Sequence, residues 1–310
     1  MIGEWIIING RLAAPSEAVF SLDDIDVTYG YGCYETLKVR DGILYFPEFH
    51  EERLLRSAAI LGIAHTINPG SVVAALKALI HAETAPACNI KVMLTGHEGR
   101  PADWYAFLLP PILPPATAYE QGVSCLLFRG ERHFPAAKSL SMLLSTVAYR
   151  CATTRGCYDA LLVNGRGEIT EGTRTNIFYA RRGVSDAMFT PPARDVLEGI
   201  TRRTLMQALA ESGVRTIERP LSIADALSGE FALAVTSTSS RIIPVRSLAG
   251  AAGPGGVPTP VLDPAGSMLA GSELESAMAP ELARVGVLYD SWLDRYARHN
   301  TSPSGQSTML

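Results

Sequence analysis

The sequence predicts an α+β protein of two domains, and three observations support this prediction. The chain has 310 residues, of which 47% are apolar, and a chain of this length usually divides into two domains. Strand-like and helix-like segments are mixed in both halves. A proline-rich stretch at 110–115 (PPILPP) fits neither a helix nor a central strand. We therefore predict a domain at 1–112, an interdomain linker at 113–118, a second domain at 119–300 and a flexible tail at 301–310.

The composition argues against several classes of protein. The net charge is −4 and the basic residues are scattered, so the chain lacks the basic pattern of a nucleic-acid-binding protein. The apolar run at 5–8 (WIII) is too short to span a bilayer and has no basic lead, which disfavours a membrane anchor or signal peptide. Five cysteines without a CxxC pair predict a reducing compartment, with neither a disulfide framework nor a metal site. These features are typical of a cytoplasmic enzyme.

The first half reads as hairpins followed by helices. Asn9-Gly10 and Asp41-Gly42 are dipeptides that favour two-residue hairpin turns, because both positions accept positive φ angles. Helical spacing of apolar residues predicts the two helices, and Gly62 can end the first of them. The predicted elements are strands at 5–8, 11–12, 34–39, 43–46, 89–95 and 104–109, and helices at 48–62 and 71–82.

In the second half the same kinds of pattern restart after the prolines. A segment at 249–259 is dominated by Gly, Pro and Ala and predicts a loop. The other predicted elements are strands at 122–128, 158–163, 176–180 and 231–236, and helices at 139–155, 200–212 and 281–299.

The chain contains few lysines, so few residues could supply a nucleophilic side-chain amine. Only Lys38, Lys77, Lys91 and Lys138 occur. A lysine that forms a Schiff base needs a pocket that keeps its amine partly unprotonated. Lys138 stands at the junction before a predicted helix, where side chains of rigid scaffolds often perform chemistry. An ordinary surface lysine is the alternative at this position.

Three further segments could hold an anionic, ring-containing cofactor. Glu171, in a predicted turn between two strands, could keep a pyridine nitrogen protonated by charge pairing. Gly199-Ile200-Thr201 opens a predicted helix, whose free N–H groups favour a phosphate. The run at 236–240 (TSTSS) offers hydroxyls after a strand, and Arg53 could pair with the phosphate charge. Capping, a polar loop and solvation are the ordinary alternatives for these groups.

Taken together in order, six segments resemble the class IV aminotransferases that use pyridoxal 5′-phosphate (PLP). The resemblance covers about residues 3 to 250. It rests on segments at 30–35 (GYGCYE), 50–54 (HEERL), 138–140 (KSL), 170–178 (TEGTRTNIF), 199–202 (GITR) and 236–245 (TSTSSRIIPV).

The resemblance implies a fold, a cofactor and residue roles. Members of this family have a small α/β domain and a larger barrel-like domain, and they are usually homodimers. Lys138 would form the Schiff base and shuttle the proton, and Glu171 would pair with the pyridine nitrogen. The remaining cofactor-binding residues implied in this way contact the phosphate, and they are Arg53, Ile200, Thr201, Ser237 and Thr238.

The segments around Lys138 and Thr236 are most similar to D-amino acid transaminases, with informative departures. Those enzymes carry a carboxylate-binding arginine after the strand at 89–95, and Thr95 occupies its place here. His97, Arg100 and Lys91 are alternative cations, and Arg174 stands where a small residue is usual. Arg241 replaces the usual glutamate, and the chain after Gly250 matches the family poorly. The candidate substrate-binding residues are Tyr29, Tyr34, His97, Arg100 and Arg174.

The implied function is amino-group transfer from a D- or branched-chain amino acid to a 2-oxo acid, through the Schiff base and pyridoxamine phosphate. Two alternatives remain on the same scaffold. One is a PLP-dependent 4-amino-4-deoxychorismate lyase, and the other is a catalytically silent protein that binds PLP or another small molecule. Retention of both Lys138 and Glu171 argues against the silent protein.

Overall fold

The computed structural model describes residues 1–252, 272–273 and 279–301 of the chain. It divides into two units, which are described one at a time. Unit 1 comprises Met1–Leu113 and Phe134–Met142, and unit 2 comprises Pro114–His133 and Leu143–Leu310. Both units contain sheets and helices, so the predicted α+β class is confirmed.

Unit 1 is built on a six-stranded antiparallel sheet with the strand order β2-β1-β6-β5-β3-β4. Both predicted hairpin turns are present, and Asn9 (φ 49°) and Asp41 (φ 53°) adopt the left-handed conformation that these turns require. The strands are β1 (Ile2–Ile8), β2 (Arg11–Ala13), β3 (Gly32–Arg40), β4 (Ile43–Leu44), β5 (Cys88–His97) and β6 (Arg100–Leu109). The helices are α1 (Ile25–Thr28), α2 (Pro47–Ile60) and α3 (Ser71–Glu83).

One face of this sheet forms the core of unit 1 together with α2 and α3. Alternate residues of β3 and β5, such as Leu37 and Val92, are buried in one cluster with Leu54 of α2 and Leu76 of α3. The intervening residues of these strands are mostly half-buried. Because side chains alternate between the faces of a strand, β3 and β5 present a second, less covered face.

Residues 134–142 belong to unit 1, although we had predicted the second domain to run from 119 to 300. The reason is backbone pairing with β3. Ser139 forms an antiparallel bridge with Cys33, and the Leu140 N–H donates to the Gly32 carbonyl over 2.8 Å. The predicted start of a helix at 139 is therefore wrong, and the helix begins at Leu143 instead.

Unit 2 contains a ten-stranded mixed sheet, ordered β12-β11-β10-β14-β15-β7-β8-β9-β13, with β16 paired to β15. Neighbours are parallel at β7–β15, β7–β8 and β11–β12 and antiparallel elsewhere. The strands are β7 (Val123–Arg129), β8 (Asp159–Val163), β9 (Glu168–Gly172), β10 (Asn176–Arg181), β11 (Ala187–Thr190), β12 (Arg215–Glu218), β13 (Leu221–Ser222), β14 (Phe231–Ser237), β15 (Arg241–Ala252) and β16 (Ser272–Glu273).

Three described helices of unit 2 overlap the predicted ones, whereas the short helices α4 and α7 were not predicted. They are α4 (Ala116–Gln121), α5 (Leu143–Thr154), α6 (Ile200–Glu211), α7 (Ile223–Leu227) and α8 (Pro280–Thr301). Helix α4 begins inside the predicted linker. The predicted loop at 249–259 is wrong for 249–252, which extend β15. Residues 253–259 and the tail at 302–310 lie outside the described residues.

None of the described helices combines the length and apolarity that a membrane span requires.

Candidate active site

Lys138 is held by the backbone of β3 and by a side chain of α2. The Tyr34 N–H donates to the Lys138 carbonyl over 2.9 Å. The Lys138 N–H donates to Ser57 Oγ over 3.1 Å, and that hydroxyl donates to the Arg53 carbonyl over 2.8 Å. Its flanking backbone is thus fixed on both sides, while the side chain is half-buried. This arrangement suits a reactive amine that must stay in one place.

Two lysines approach the ring of Tyr34. The Lys138 Nζ lies 4.5 Å from the ring centroid and the Lys91 Nζ lies 5.1 Å from it. An aromatic ring attracts a cation at this distance. The Tyr34 hydroxyl lies 3.4 Å from the Met142 sulfur. Tyr34, a predicted substrate-binding residue, is therefore adjacent to the predicted catalytic lysine.

Arg53, predicted to contact the phosphate, is engaged by a buried carboxylate. Its Nε and Nη2 donate to the two carboxylate oxygens of Glu35, each over 2.7 Å. The His50 Nδ1 lies 2.6 Å from the same carboxylate, and all three side chains are buried. This double contact fixes the plane of the guanidinium. The phosphate role of Arg53 stays a prediction.

The charge states of this buried group follow from its contacts. Burial alone would raise the pKa of Glu35, but the charge and hydrogen bonds of Arg53 and the hydrogen bond of His50 hold that pKa well below its usual range. Burial lowers the pKa of His50, although Glu35 opposes the shift. Neutral His50 then donates its Nδ1–H to Glu35, and its Nε2 has no partner among the described residues.

Glu171 lies in a strand of unit 2, so its predicted position in a turn is wrong. It is the fourth residue of β9, and its side chain is buried. One carboxylate oxygen accepts a hydrogen bond from the Leu197 N–H over 3.2 Å, and the other lies 3.6 Å from Arg132 Nη1. A buried carboxylate held by a backbone donor and a guanidinium suits a pairing role.

The turn that follows Glu171 is organised by Asp159. Its carboxylate accepts hydrogen bonds from the hydroxyls of Thr173 and Thr175. A Cβ atom at Gly172 would overlap both Thr175 Oγ1 and the Asp159 carboxylate, so only glycine fits between them. Burial raises the pKa of Asp159, which these hydrogen bonds oppose. Asp159 thereby fixes the backbone next to Glu171.

The predicted phosphate helix begins where expected. Gly199 is the residue before α6, and no side chain caps the first turn of the helix, which leaves backbone N–H groups suited to an anion. A Cβ atom at Gly199 would overlap Asn176 Oδ1. The Asn176 amide also donates to the Leu197 carbonyl over 2.8 Å, so the Glu171 neighbourhood and the start of α6 are contiguous.

The second predicted phosphate segment follows the end of β14. Thr236 pairs with Asn176 across β14 and β10, which places Ser237 and Thr238 just beyond the same neighbourhood. Ser237 Oγ lies 2.7 Å from Ser240 Oγ, a contact that closes the turn. Within unit 2 the structure therefore brings Glu171 together with the first turn of α6 and the 236–240 segment.

Helix α8 contacts the first turns of α6 and Arg241, the residue that follows the 236–240 segment. The Tyr289 hydroxyl lies 2.8 Å from Thr204 Oγ1 and also interacts with the Thr201 side chain. Burial raises the pKa of Tyr289 to about 12, so the hydroxyl keeps its proton. The next residue, Asp290, pairs with Arg241 over 2.6 Å. Arg241 and α8, two departures from the family pattern, are thus directly linked.

Three other predicted residues lie near the start of unit 1 and at the end of its β5–β6 hairpin. Arg100 Nη1 donates to Asp103 over 2.7 Å. The ring of His97 lies between Asp24 (Nδ1 to Oδ2, 3.4 Å) and Asp103 (Nε2 to Oδ2, 3.2 Å), although the second contact is not aligned as a hydrogen bond. Tyr29, at the end of α1, is 81% exposed.

The same region contains a group of possible cation ligands. Asp24, Asp26 and His97 each place a ligand atom within 4.8 Å of the others. Exposed carboxylates often cluster without an ion. The expectation that the chain has no metal site stays a prediction.

Arg174, the last candidate, is an exposed residue of unit 2 stacked between two tyrosines. Its guanidinium carbon lies 4.5 Å from the ring centroid of Tyr149 and 4.8 Å from that of Tyr158. Its Nη2 donates to the Tyr158 carbonyl over 3.0 Å, and its charge lowers the pKa of buried Asp159 against the effect of burial. These contacts fix the side chain, and its substrate role stays a prediction.

The residues fit PLP by their chemistry. The cofactor needs an amine for covalent attachment, a carboxylate for its pyridine nitrogen and donors for its phosphate. Lys138, Glu171 and the glycine-preceded start of α6 supply these three kinds of group. At Gly199 the close neighbour is Asn176 Oδ1, which fixes the start of α6 against β10, and the uncapped first turn of α6 offers N–H groups to the phosphate.

Comparison with known proteins establishes the family. The family model for class IV aminotransferases matches residues 32–248, and the chain belongs to this family. It is 29% identical over 266 residues to a D-alanine aminotransferase of Bacillus licheniformis, which covers 83% of this chain and 92% of the relative. It is 28% identical to a putative branched-chain-amino-acid aminotransferase of Methanocaldococcus jannaschii, which covers 79% of this chain and 88% of that protein.

Solved structures agree in fold. A hypothetical aminotransferase from Mycobacterium tuberculosis in its PLP-bound form superposes with a TM-score of 0.71 at 21% identity, covering 93% of this chain and 97% of that one. The predicted two-domain class IV fold is confirmed, and so are the cofactor and the general activity. The protein is a PLP-dependent aminotransferase, and its substrates are amino acids and 2-oxo acids.

Sequence reasoning missed several residues that support these groups. Glu35 and His50 stood inside the quoted segments but had no assigned role. Asp159 and Tyr289 act through contacts with residues 14 and 85 positions away, which no local pattern shows. Arg132 follows β7 closely, and the tendency of functional side chains to follow strand ends could have identified it.

Proposed function

We propose that the protein transfers the amino group of a D-amino acid to a 2-oxo acid. The single observation that carries this choice is the likeness to the D-alanine aminotransferase of Bacillus licheniformis over 83% of the chain. A branched-chain donor is the second candidate, because the Methanocaldococcus jannaschii relative is named for that activity. The remaining support comes from the geometry around Lys138.

The proposed roles follow the contacts within each unit. Bound PLP supplies an electron-withdrawing ring that stabilises a carbanion at the substrate α-carbon. Lys138 attaches the cofactor and then, as a free amine, takes the α-proton of the donor. Glu171 keeps the pyridine nitrogen protonated. The phosphate is held by donors from Arg53, Ile200, Thr201, Ser237 and Thr238.

The chain's own structure keeps these groups ready before substrate arrives. Backbone pairing holds the Lys138 segment, Glu35 fixes Arg53, and Asp159 fixes the turn after Glu171. Tyr34 contacts the reactive amine through its ring. We propose that the other substrate-facing residues are Tyr29, His97, Arg100 and Arg174.

We also propose a cytoplasmic homodimer. The five cysteines, all within the described residues, are free thiols, as expected in a reducing compartment. Unit 1 exposes a run of apolar side chains that includes Val19 (78% exposed) and Leu22 (97%), and such runs mark protein interfaces. Sedimentation equilibrium tests the assembly, and a monomer at micromolar concentration would contradict it.

The decisive experiment is a panel of amino donors with pyruvate and 2-oxoglutarate as acceptors. Both enantiomers of alanine, leucine and valine are compared by product chirality and rate. Preferential use of D-alanine supports the proposal, whereas exclusive use of L-leucine or L-valine moves the chain to the branched-chain group. Release of pyruvate from 4-amino-4-deoxychorismate without any acceptor would identify a lyase. A protein that binds PLP yet fails every reaction would be the silent binder.

A further inference from the structure

Thr95 occupies the position of the arginine that binds the substrate carboxylate in the similar D-amino acid transaminases, and threonine carries no charge. Another residue must therefore supply the positive charge. Two alternatives near the end of β5 already have acidic partners in the structure. Arg100 is exposed and pairs with Asp103, and His97 lies between Asp24 and Asp103. A substrate carboxylate would compete with Asp24 and Asp103 for these two side chains. At exposed Arg100 the solvent would also weaken its attraction to the guanidinium.

Lys91 differs from both. It is half-buried in the middle of β5, and none of the described carboxylates pairs with it. Its neighbours in register are Thr36 on β3 and Phe107 on β6, neither of which carries a charge. An ammonium in such surroundings is a strong attractor for an anion, because screening is weaker than at the surface.

The position of Lys91 relative to Lys138 is equally specific. Tyr34 and Lys91 lie on the face of the sheet opposite the core that contains Leu37 and Val92. Lys91 Nζ and Lys138 Nζ approach the same Tyr34 ring, at 5.1 Å and 4.5 Å from its centroid. A donor amino acid brings its amino group to the place where the Lys138 amine acts, and its carboxylate, one carbon away, then enters the same surroundings.

From this arrangement we infer that Lys91 binds the substrate α-carboxylate and makes the enzyme select amino acids over simple amines. The inference rests on the proposed aminotransferase site around Lys138. Lysine suits the task as a compact charge with three rotatable donors. If Lys91 only contacted the Tyr34 ring, its replacement would not change the preference for amino acids over simple amines. The test therefore measures that preference.

The test compares two donors that differ only at the carboxylate. D-Alanine and isopropylamine share the amino-bearing carbon and one methyl group, and isopropylamine carries a second methyl in place of the carboxylate. With the PLP-loaded enzyme, the rate at which each donor bleaches the visible absorbance of the bound cofactor gives a second-order constant. The ratio of the two constants measures carboxylate recognition and cancels general effects on the lysine chemistry.

We expect Lys91→Met to lower the D-alanine constant by roughly tenfold or more, the loss of one charge-assisted hydrogen bond. The isopropylamine constant should stay unchanged, and PLP should bind with wild-type affinity in a spectral titration. Lys91→Arg should restore most of the ratio, because it returns the charge. Lys77→Met is the matched control, since Lys77 is an exposed lysine of α3.

Three outcomes would overturn the inference. They are an unchanged ratio in Lys91→Met, an equal fall for both donors, and a loss of PLP affinity, which would assign Lys91 to the fold or the cofactor. Failure of the proposed function is distinguishable, because the wild-type protein would then transfer no amino group from any donor in the panel. If the panel selects L-leucine, the same comparison is made with L-leucine and 4-methyl-2-pentylamine.

Discussion

Tyr34 contacts Lys138 twice, once through the backbone and once through its ring. Its N–H donates to the Lys138 carbonyl over 2.9 Å, and its ring centroid lies 4.5 Å from the Lys138 amine. Strand β3 therefore fixes the backbone of Lys138, the residue that we predict to attach the cofactor.

Lys138 should carry the cofactor covalently. Reduction of the PLP-loaded protein with borohydride, followed by peptide mass mapping, should place the pyridoxyl group on the peptide that contains Lys138. Lys138→Ala should give no adduct and no visible absorbance. An adduct on Lys38, Lys77 or Lys91 would contradict the assignment.

Glu171→Gln should lower turnover by roughly 10²-fold, equivalent to about 3 kcal/mol of transition-state stabilisation. The amide keeps the shape of the side chain but cannot hold a proton on the pyridine nitrogen by charge. PLP should remain bound in a spectral titration. Glu168→Gln is the control on the same strand, because Glu168 pairs with exposed Arg166. Equal turnover in the two variants would remove Glu171 from this role.

Glu35→Gln should destabilise the protein by about 3–5 kcal/mol near pH 7, since it removes the negative charge that faces the buried guanidinium of Arg53. The pKa of Glu35 is lower in the folded state than in the unfolded one, so its stabilising effect is present above the unfolded pKa of about 4.3 and declines as the pH falls below it.

Urea denaturation between pH 3 and pH 7 measures this effect, with exposed Glu48→Gln as the control on the same helix. The difference in the free energy of unfolding between the wild type and Glu35→Gln should become smaller as the pH falls toward 3. A constant difference between the two proteins at every pH would show that Glu35 contributes no ionised pair.

Arg174→Met should lower the free energy of unfolding by roughly 1 kcal/mol, because it removes the cation from between Tyr149 and Tyr158 at an exposed site. Arg174→Lys should restore only part of this free energy, because an ammonium group is not planar and cannot stack on the tyrosine rings as a guanidinium does. Thermal denaturation checks both variants. The same Arg174→Met protein tests the substrate role, where a sharp rise in donor KM with intact cofactor absorbance would support it.

Tyr289→Phe should weaken PLP binding several-fold, about the effect of one buried hydrogen bond, and leave the binding of pyridoxal unchanged. The hydroxyl holds Thr201 and Thr204 at the start of α6, which matters only for a ligand with a phosphate. Arg295→Met is the matched control, because Arg295 joins α8 to Glu211 at the other end of α6. Parallel losses for both ligands would indicate a general effect on folding.

Local chemistry explains which parts of the fold the sequence could predict. Asn9-Gly10 and Asp41-Gly42 determine their hairpins within a few residues, and both predictions are confirmed by positive φ angles. The helix start at 139 was wrong because the backbone of 139–140 pairs with β3, more than 100 residues away. No periodicity within the segment reports such a partner.

Some residues of the candidate site could likewise be predicted from local motifs, whereas others are identified only by their contacts in the fold. Motif order pointed to Lys138 and Glu171, but it assigned Glu171 to a turn, because the short strand β9 has no clear alternation. The contacts of Asp159 with Thr173 and of Tyr289 with Thr204 depend on how distant strands and helices pack. A single sequence without its fold contains no signal for them.

Unit 1 is discontinuous in the chain, which leaves after Leu113 and returns only for residues 134–142. A gene fragment that stops at residue 113 would encode a sheet without the partner of Gly32–Tyr34 and without Lys138, the predicted nucleophile. If two such enzymes exchanged their first 113 residues, unit 1 would contain Arg53 from one enzyme and Lys138 from the other. Recombination that moves the sheet together with its lysine must cut the gene at three points, after codons 113, 133 and 142.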